Sequence, residues 1–168
     1  LREARGLAEQ ALERYAELFD FAPIAYFTLG DDGGIQQANF KGEQLLKLQR
    51  FTVDGRRFAD FVAGEFRPAF DQFLEQVFAG IAARHCEIVL AAAGTSRWVT
   101  IEAIADRKNR TCLAAVIDIT ERKRNEQEVQ LAATIYLALS EAIMVADADN
   151  RIVAINPAFS SLTGYSAD

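Results

Sequence analysis

The sequence predicts an α+β fold in which one antiparallel sheet carries short helices on one face. Three observations point there. The segments run in the order helix, two strands, several short helices, three strands. Within 97–106, Val99, Ile101 and Ala103 alternate with Trp98, Thr100 and Glu102, which makes one face apolar and the other mixed. Lastly, the opening recurs. With residues 1–48 set against 118–165 without a gap, Arg5, Glu9, Gln10, Ala16, Ala25, Asp32, Ile35, Asn39 and Leu45 fall on Arg122, Glu126, Gln127, Ala133, Ala142, Asp149, Ile152, Asn156 and Leu162. A spacing that long implies tandem whole domains and not a solenoid unit. The chain is expected to hold one complete module and the first third of a second.

Residues 1–19 carry Leu1, Ala4, Ala8, Ala11, Tyr15 and Leu18 at helical spacing, widened by Leu12 and Phe19, and Pro23 closes the helix. Ala25–Leu29 reads as a strand. Gly30-Asp31-Asp32-Gly33-Gly34 is a turn by chemistry, and Ile35–Ala38 is the returning strand. Short helices are expected near 42–48 and 58–62, with Asp54-Gly55 in the loop between them. Residues 65–79 form the clearest helix: Phe66, Phe70, Phe73, Leu74 and Val77 share a face, Pro68 sits in the first turn and Gly80 stops it. Strands are expected at 84–91, 97–106 and 111–120, with turns at Ala93-Gly94-Thr95-Ser96 and Asn109-Arg110. From Glu121 to about Leu139 a second helix begins almost wholly polar, as a bridging linker does. It then regains a stripe at Val129, Ala132, Ala133, Tyr136 and Leu139. The strands near 142–146 and 151–155 lack sheet partners, so they should be mobile, pair with each other, or pair edge-on with another molecule.

Half of the residues are hydrophobic (51%) and a quarter charged (25%), enough for a core and against disorder. The net charge of −6 comes without a dense basic block, which argues against nucleic acid as a partner. No apolar run is long enough to span a membrane, so direct membrane contact is not expected and a cytoplasmic location is, whether or not the full-length protein is anchored elsewhere. Cys86 and Cys112 sit in apolar strand-like segments and read as two buried thiols. His85 is the sole histidine, which removes most histidine-based catalytic and metal constellations. Asp31-Asp32 could imitate a catalytic pair, but no nucleophile or base accompanies it. The fragment is therefore read as regulatory, with no catalytic and no metal-binding residue.

Three motifs resemble the PAS sensory domain. Asp32-Gly33-Gly34-Ile35 is followed by Asn39 and echoed by Asp149-Asn150-Arg151-Ile152, Asn156-Pro157-Ala158-Phe159 and Leu162-Thr163-Gly164-Tyr165. Arg97-Trp98-Val99 is typical of a fourth strand. Asp118-Ile119-Thr120-Glu121-Arg122-Lys123 looks like the signature that ends a PAS core before its exit helix. The resemblance implies a five-stranded antiparallel sheet of order 2-1-5-4-3, with helices enclosing a pocket against one face. It divides the chain into an N-terminal helix at 1–19, a PAS core at 20–120, a linker helix at 121–136 and the start of a second PAS domain at 137–168. That order would place the Trp98 strand between the two cysteines, against a disulfide.

By the same resemblance, covalent-flavin photochemistry is excluded, since Asn39-Phe40-Lys41-Gly42-Glu43 lacks the required cysteine. Haem is disfavoured, because residues 65–79 hold no histidine. Non-covalent flavin stays open, and no cofactor is required. Pocket candidates are Phe27, Asn39, Phe40, Phe70, Phe73, Ile88, Val99 and Ile101. Eleven of the twelve phenylalanines lie between 19 and 78, so either an aromatic-lined pocket or a filled core is expected. Trp98 is expected on the outer sheet face, beneath the leading helix or a dimer partner. Asp118, Thr120 and Arg122 are the signal-coupling candidates: Thr120 can cap the exit helix, and Asp118 can accept backbone N–H groups or pair with Arg122. Asn39 would either bond a ligand or fix the backbone after the second strand. The function implied is a sensory or relay module of a bacterial signalling protein. It would act as a homodimer through its flanking helices and regulate, through downstream PAS and output domains, cyclic-di-GMP synthesis or hydrolysis. A histidine-kinase sensor and a ligand-free dimerisation spacer are the alternatives.

Overall fold

The acidic turn closes on its own side chain. Asp32 Oδ1 accepts the Gly34 amide at 2.9 Å, and Gly33 supplies the left-handed φ of 78° that an L side chain would resist. This joins β1 (Ala25–Gly30) to β2 (Ile35–Ala38). The computed structural model describes residues 12–48, 55–81 and 85–165. The first part of the leading-helix stripe, Asp54 and Arg84 lie outside the described residues. Two compact units emerge, Leu1–Thr120 and Glu121–Asp168.

In the first unit, α1 covers residues 12–20 and α2 runs Phe40–Leu46. Two 3-10 turns follow at Phe58–Phe61 and Gly64–Phe66, then α3 at Arg67–Ala79. Pro68 sits in the first turn of α3, and Gly80 ends the helix at a φ of 73°. The sheet is completed by β3 (Cys86–Ala92), β4 (Thr95–Asp106) and β5 (Thr111–Asp118), in the antiparallel order β2-β1-β5-β4-β3. The β3–β4 turn is tighter than expected. Ala93 and Gly94 alone form it, at φ 46° and 76°, the two-residue geometry that suits strand twist. His85 stands exposed just ahead of β3, not on it. Val62 bridges Leu90 and the Ala63 amide donates to Val89 O at 2.8 Å, so this segment covers part of the β3 edge.

Alternation decides the core. Phe27 and Leu29 of β1, Ile88 and Leu90 of β3, Val99 and Ile101 of β4, and Cys112, Ala114 and Val116 of β5 all face inward. They meet Phe58 and Phe61 from the first 3-10 turn and Phe70, Phe73, Leu74 and Val77 from α3. β4 separates the strands of Cys86 and Cys112, and both thiols are free. Burial raises the pKa of each, Cys112 to about 11, the latter opposed only by a hydrogen bond with the Leu29 backbone. Neither is a ready thiolate near neutral pH.

The helix α4 (Thr120–Ala138) starts on the last residue of the first unit, and the second unit continues with β6 (Met144–Ala146), β7 (Ile152–Ile155) and α5 (Pro157–Thr163). Of the three expectations for its strands, pairing with each other is the observed one. The repeat extends to register. Phe27, Thr28 and Leu29 pair with Ala38, Gln37 and Ile35, with a slip after Thr28. Met144, Val145 and Ala146 pair with Ile155, Ala154 and Ile152, with the slip at the equivalent place. Asn39 and Asn156 cap the helices that follow, and both helices end in a left-handed residue, Lys47 in α2 and Gly164 in α5.

Candidate functional site

Phe27, Phe70, Phe73, Ile88, Val99 and Ile101 converge on the inner sheet face, all buried in one hydrophobic cluster. A residue absent from the sequence-based set, Phe58, organises them. Its ring meets Phe27 edge-on at 5.2 Å between centroids and stacks on Phe70 at 5.1 Å. Phe70 also lines a cleft of about 530 Å³ with Ala59, Leu74 and Phe78. Phe40 stands apart, 45% exposed on α2. The inward position on that helix belongs to Gly42, because a Cβ there would lie 2.9 Å from Phe27 Cζ. Nothing in the local sequence besides the glycine itself signals that approach.

Asn39 is fully buried and uses all its hydrogen-bonding capacity on backbone. Its Oδ1 accepts the amides of Tyr26 and Gly42, and its Nδ2 donates to the carbonyls of Phe19 and Ile24, each at 2.9 Å. Such a side chain joins the end of α1, the start of β1 and the first turn of α2.

The coupling candidates gather where β5 ends. The ladder closes at Val99–Asp118, after which the Ile119 amide donates to Trp98 O at 2.8 Å. Thr120 Oγ1 then accepts the Trp98 amide at 3.0 Å, so both backbone groups of Trp98 are engaged by the start of α4. This corrects the helix-cap assignment: the Thr120 hydroxyl is spent on the sheet. Asp118 Oδ1 accepts the Thr120 amide at 2.9 Å, and its Oδ2 pairs with Arg97 Nη1 at 2.9 Å. Arg97 thus takes the place expected of Arg122, because β-pairing puts Arg97 beside the β5 end, whereas Arg122 reaches Glu126 along its own helix at 3.6 Å. Partial burial raises the Asp118 pKa, but hydrogen bonds from Thr120 and Arg97 and the Arg97 charge outweigh it and hold the group below its usual 3.8. The Trp98 ring is half-buried and meets Phe66, from the turn before α3, edge-on at 5.2 Å. An open cleft of about 460 Å³ borders the junction, with Lys41, Gln44, Leu45, Arg97, Ile117 and Asp118 among its lining.

The chemistry available is conformational. Asp118 and Thr120 link two neighbouring strands to the first turn of a 19-residue helix. Among the described residues no cluster of three or more His, Cys, Asp or Glu could hold a metal ion, and no helix is long and apolar enough to cross a membrane.

Comparison with known proteins bears on both units. The family model described as "PAS fold" matches residues 19–124, and that described as "PAS domain" matches 131–168. The PAS domain of an HTR-like protein from Haloarcula marismortui superposes with a TM-score of 0.60 at 20% identity, over 71% of this chain and 100% of that one. A domain of a sensory box sensor histidine kinase/response regulator from Geobacter sulfurreducens gives 0.54 at 15% identity, over 65% and 95%. The RpfR quorum-sensing receptor PAS domain from Cronobacter turicensis, solved in complex with BDSF, gives 0.52 at 18% identity, over 59% and 96%. No curated protein matches the chain.

Proposed function

Given that this chain belongs to the PAS family, we propose that its first unit is a sensory or relay module of a bacterial multidomain signalling protein, which passes changes in the sheet to α4. The observation that carries the reading is the strand-end lock: Arg97, Asp118 and Thr120 tie β4 and β5 to the first turn of that helix. A shift between the two strands changes the geometry at Thr120, and a helix transmits such a change as rotation or translation.

Relay is favoured over small-molecule sensing, because Phe27, Phe58 and Phe70 pack ring against ring on the inner face. The RpfR domain of this fold was solved with BDSF bound. The reading requires no cofactor. The module itself is regulatory. The output is read as a cyclic-di-GMP synthesis or hydrolysis domain, with a histidine kinase as the alternative. Exposed Leu12, Tyr15 and Leu18 on α1, and Ile135 and Leu139 in the second unit, suit a homodimer through the flanking helices in the cytoplasm.

The test places the chain ahead of a cyclic-di-GMP-synthesising domain and compares Thr120→Val and Asp118→Asn with the parent. A several-fold change in product formation at unchanged expression is expected. Equal output from all three would sink the relay reading. A flavin or haem mass in the native mass spectrum of the chain would replace it with a cofactor sensor.

A further inference from the structure

The second unit contains a feature that its hydrophobicity does not explain. Among its described residues the one that is fully buried is polar: Asn156, 1% exposed, while Met144, Val145, Ile152 and Val153 on the neighbouring strands are exposed. A buried amide is costly unless every donor and acceptor is satisfied. Here each is. Asn156 Oδ1 accepts the Ile143 amide at 2.9 Å and the Phe159 amide at 3.0 Å. Its Nδ2 donates to Glu141 O at 2.9 Å and to Tyr136 O at 3.3 Å. These are the positions in the repeat of the four groups that Asn39 binds, Tyr26, Gly42, Ile24 and Phe19. The surrounding side chains differ: Gly42 and Phe27 in the first unit correspond to Phe159 and Met144 in the second. What the two units share here is the set of backbone bonds and not the packing around them.

Tyr136 lies in the last turn of α4, the helix whose first residue is held by Trp98 through the Thr120 hydroxyl. One unbroken helix is therefore pinned at both ends, to a β-strand at its start and to an asparagine at its finish. We propose that Asn156 is an input latch, a positioning residue that couples the end of α4 to the β6–β7–α5 segment, as Asn39 couples α1 to the first sheet. Displacement of α4 at Thr120 then reaches the second hairpin through the Tyr136 carbonyl. The inference rests on reading α4 as the relay element, and its test needs no output domain.

The discriminating change is Asn156→Asp in this chain. A carboxylate still accepts the Ile143 and Phe159 amides, but it replaces the two donors with charge facing two carbonyls. Amide exchange at the end of α4 is expected to rise roughly tenfold, the loss of one or two hydrogen bonds. The emission maximum of Trp98, the sole tryptophan, is expected to shift, because that residue holds the other end of the helix. Faster exchange confined to the α4 end with Trp98 emission unmoved would make Asn156 a local staple and overturn the inference. If Asn156→Asp unfolds the hairpin outright, Thr120→Val decides. That change frees the opposite end of α4 and must raise exchange at the Ile143 and Phe159 amides, and unchanged exchange there overturns the proposal. Failure of the relay reading itself would appear instead as unchanged output in the fused protein.

Discussion

At the scale of single residues, Asp118 shows how a short carboxylate can serve a strand and a helix at once. Its folded pKa lies below the ordinary carboxylate value of 3.8. The stability it contributes is therefore complete above that value and is lost as pH falls through the folded pKa. The Arg97 pair is largely exposed, so Asp118→Asn should cost under about 1 kcal/mol at neutral pH, while the Thr120 amide keeps an oxygen acceptor. In urea melts the difference between parent and variant should be constant from pH 6 to 8 and shrink below about pH 4. A difference of equal size at pH 3 would show that the charge is not what Asp118 contributes. The importance of Asp118 and Thr120 was legible in the motif. Their partners, Arg97 and the Trp98 backbone, were not, because both lie about twenty residues away and depend on the β4–β5 register.

At the scale of elements, local chemistry explains most boundaries. Pro68 and Gly80 bracket α3, and Asp32 with Gly33 makes the first hairpin turn. The exception is the β3–β4 turn, where Ala93 holds a φ of 46° that an alanine adopts only at a cost. Ala93→Asn would create the Asn-Gly pair that this turn prefers and should stabilise the first unit by about 0.5–1 kcal/mol, read as a higher thermal midpoint. An unchanged or lower midpoint would mean that strand pairing, and not the turn, determines the cost at this position. The sequence predicted a four-residue turn because Thr95 and Ser96 are turn-prone residues. Cross-strand pairing with Ala92 and Ala91 drew them into β4.

At the scale of the whole molecule, the units differ in what holds them together. The first has a continuous core to which all five strands, α2, α3 and the first 3-10 turn contribute. In the second, the described strand residues are mostly exposed and hydrogen bonds centred on Asn156 organise the segment. Amides of β4 and β5 should exchange only through global opening, whereas those of β6 and β7 should exchange at least roughly a hundredfold faster. Equal protection in both units would show that some further packing stabilises the second hairpin.

The sequence by itself determined the α+β class, the tandem repeat, the strand order through the family resemblance, and the position of the exit junction. These are encoded in periodicity, turn chemistry and short motifs, which are local. Only the tertiary structure decided that Phe58 packs between Phe27 and Phe70, that Phe40 points away while Gly42 admits Phe27, and that Arg97 replaces Arg122 at Asp118. It also decided that each buried asparagine is committed to four backbone groups. The physical reason is common to all four. Each depends on groups distant along the chain being brought within a few ångströms, and a linear pattern specifies which residues are apolar or polar without specifying which of them meet.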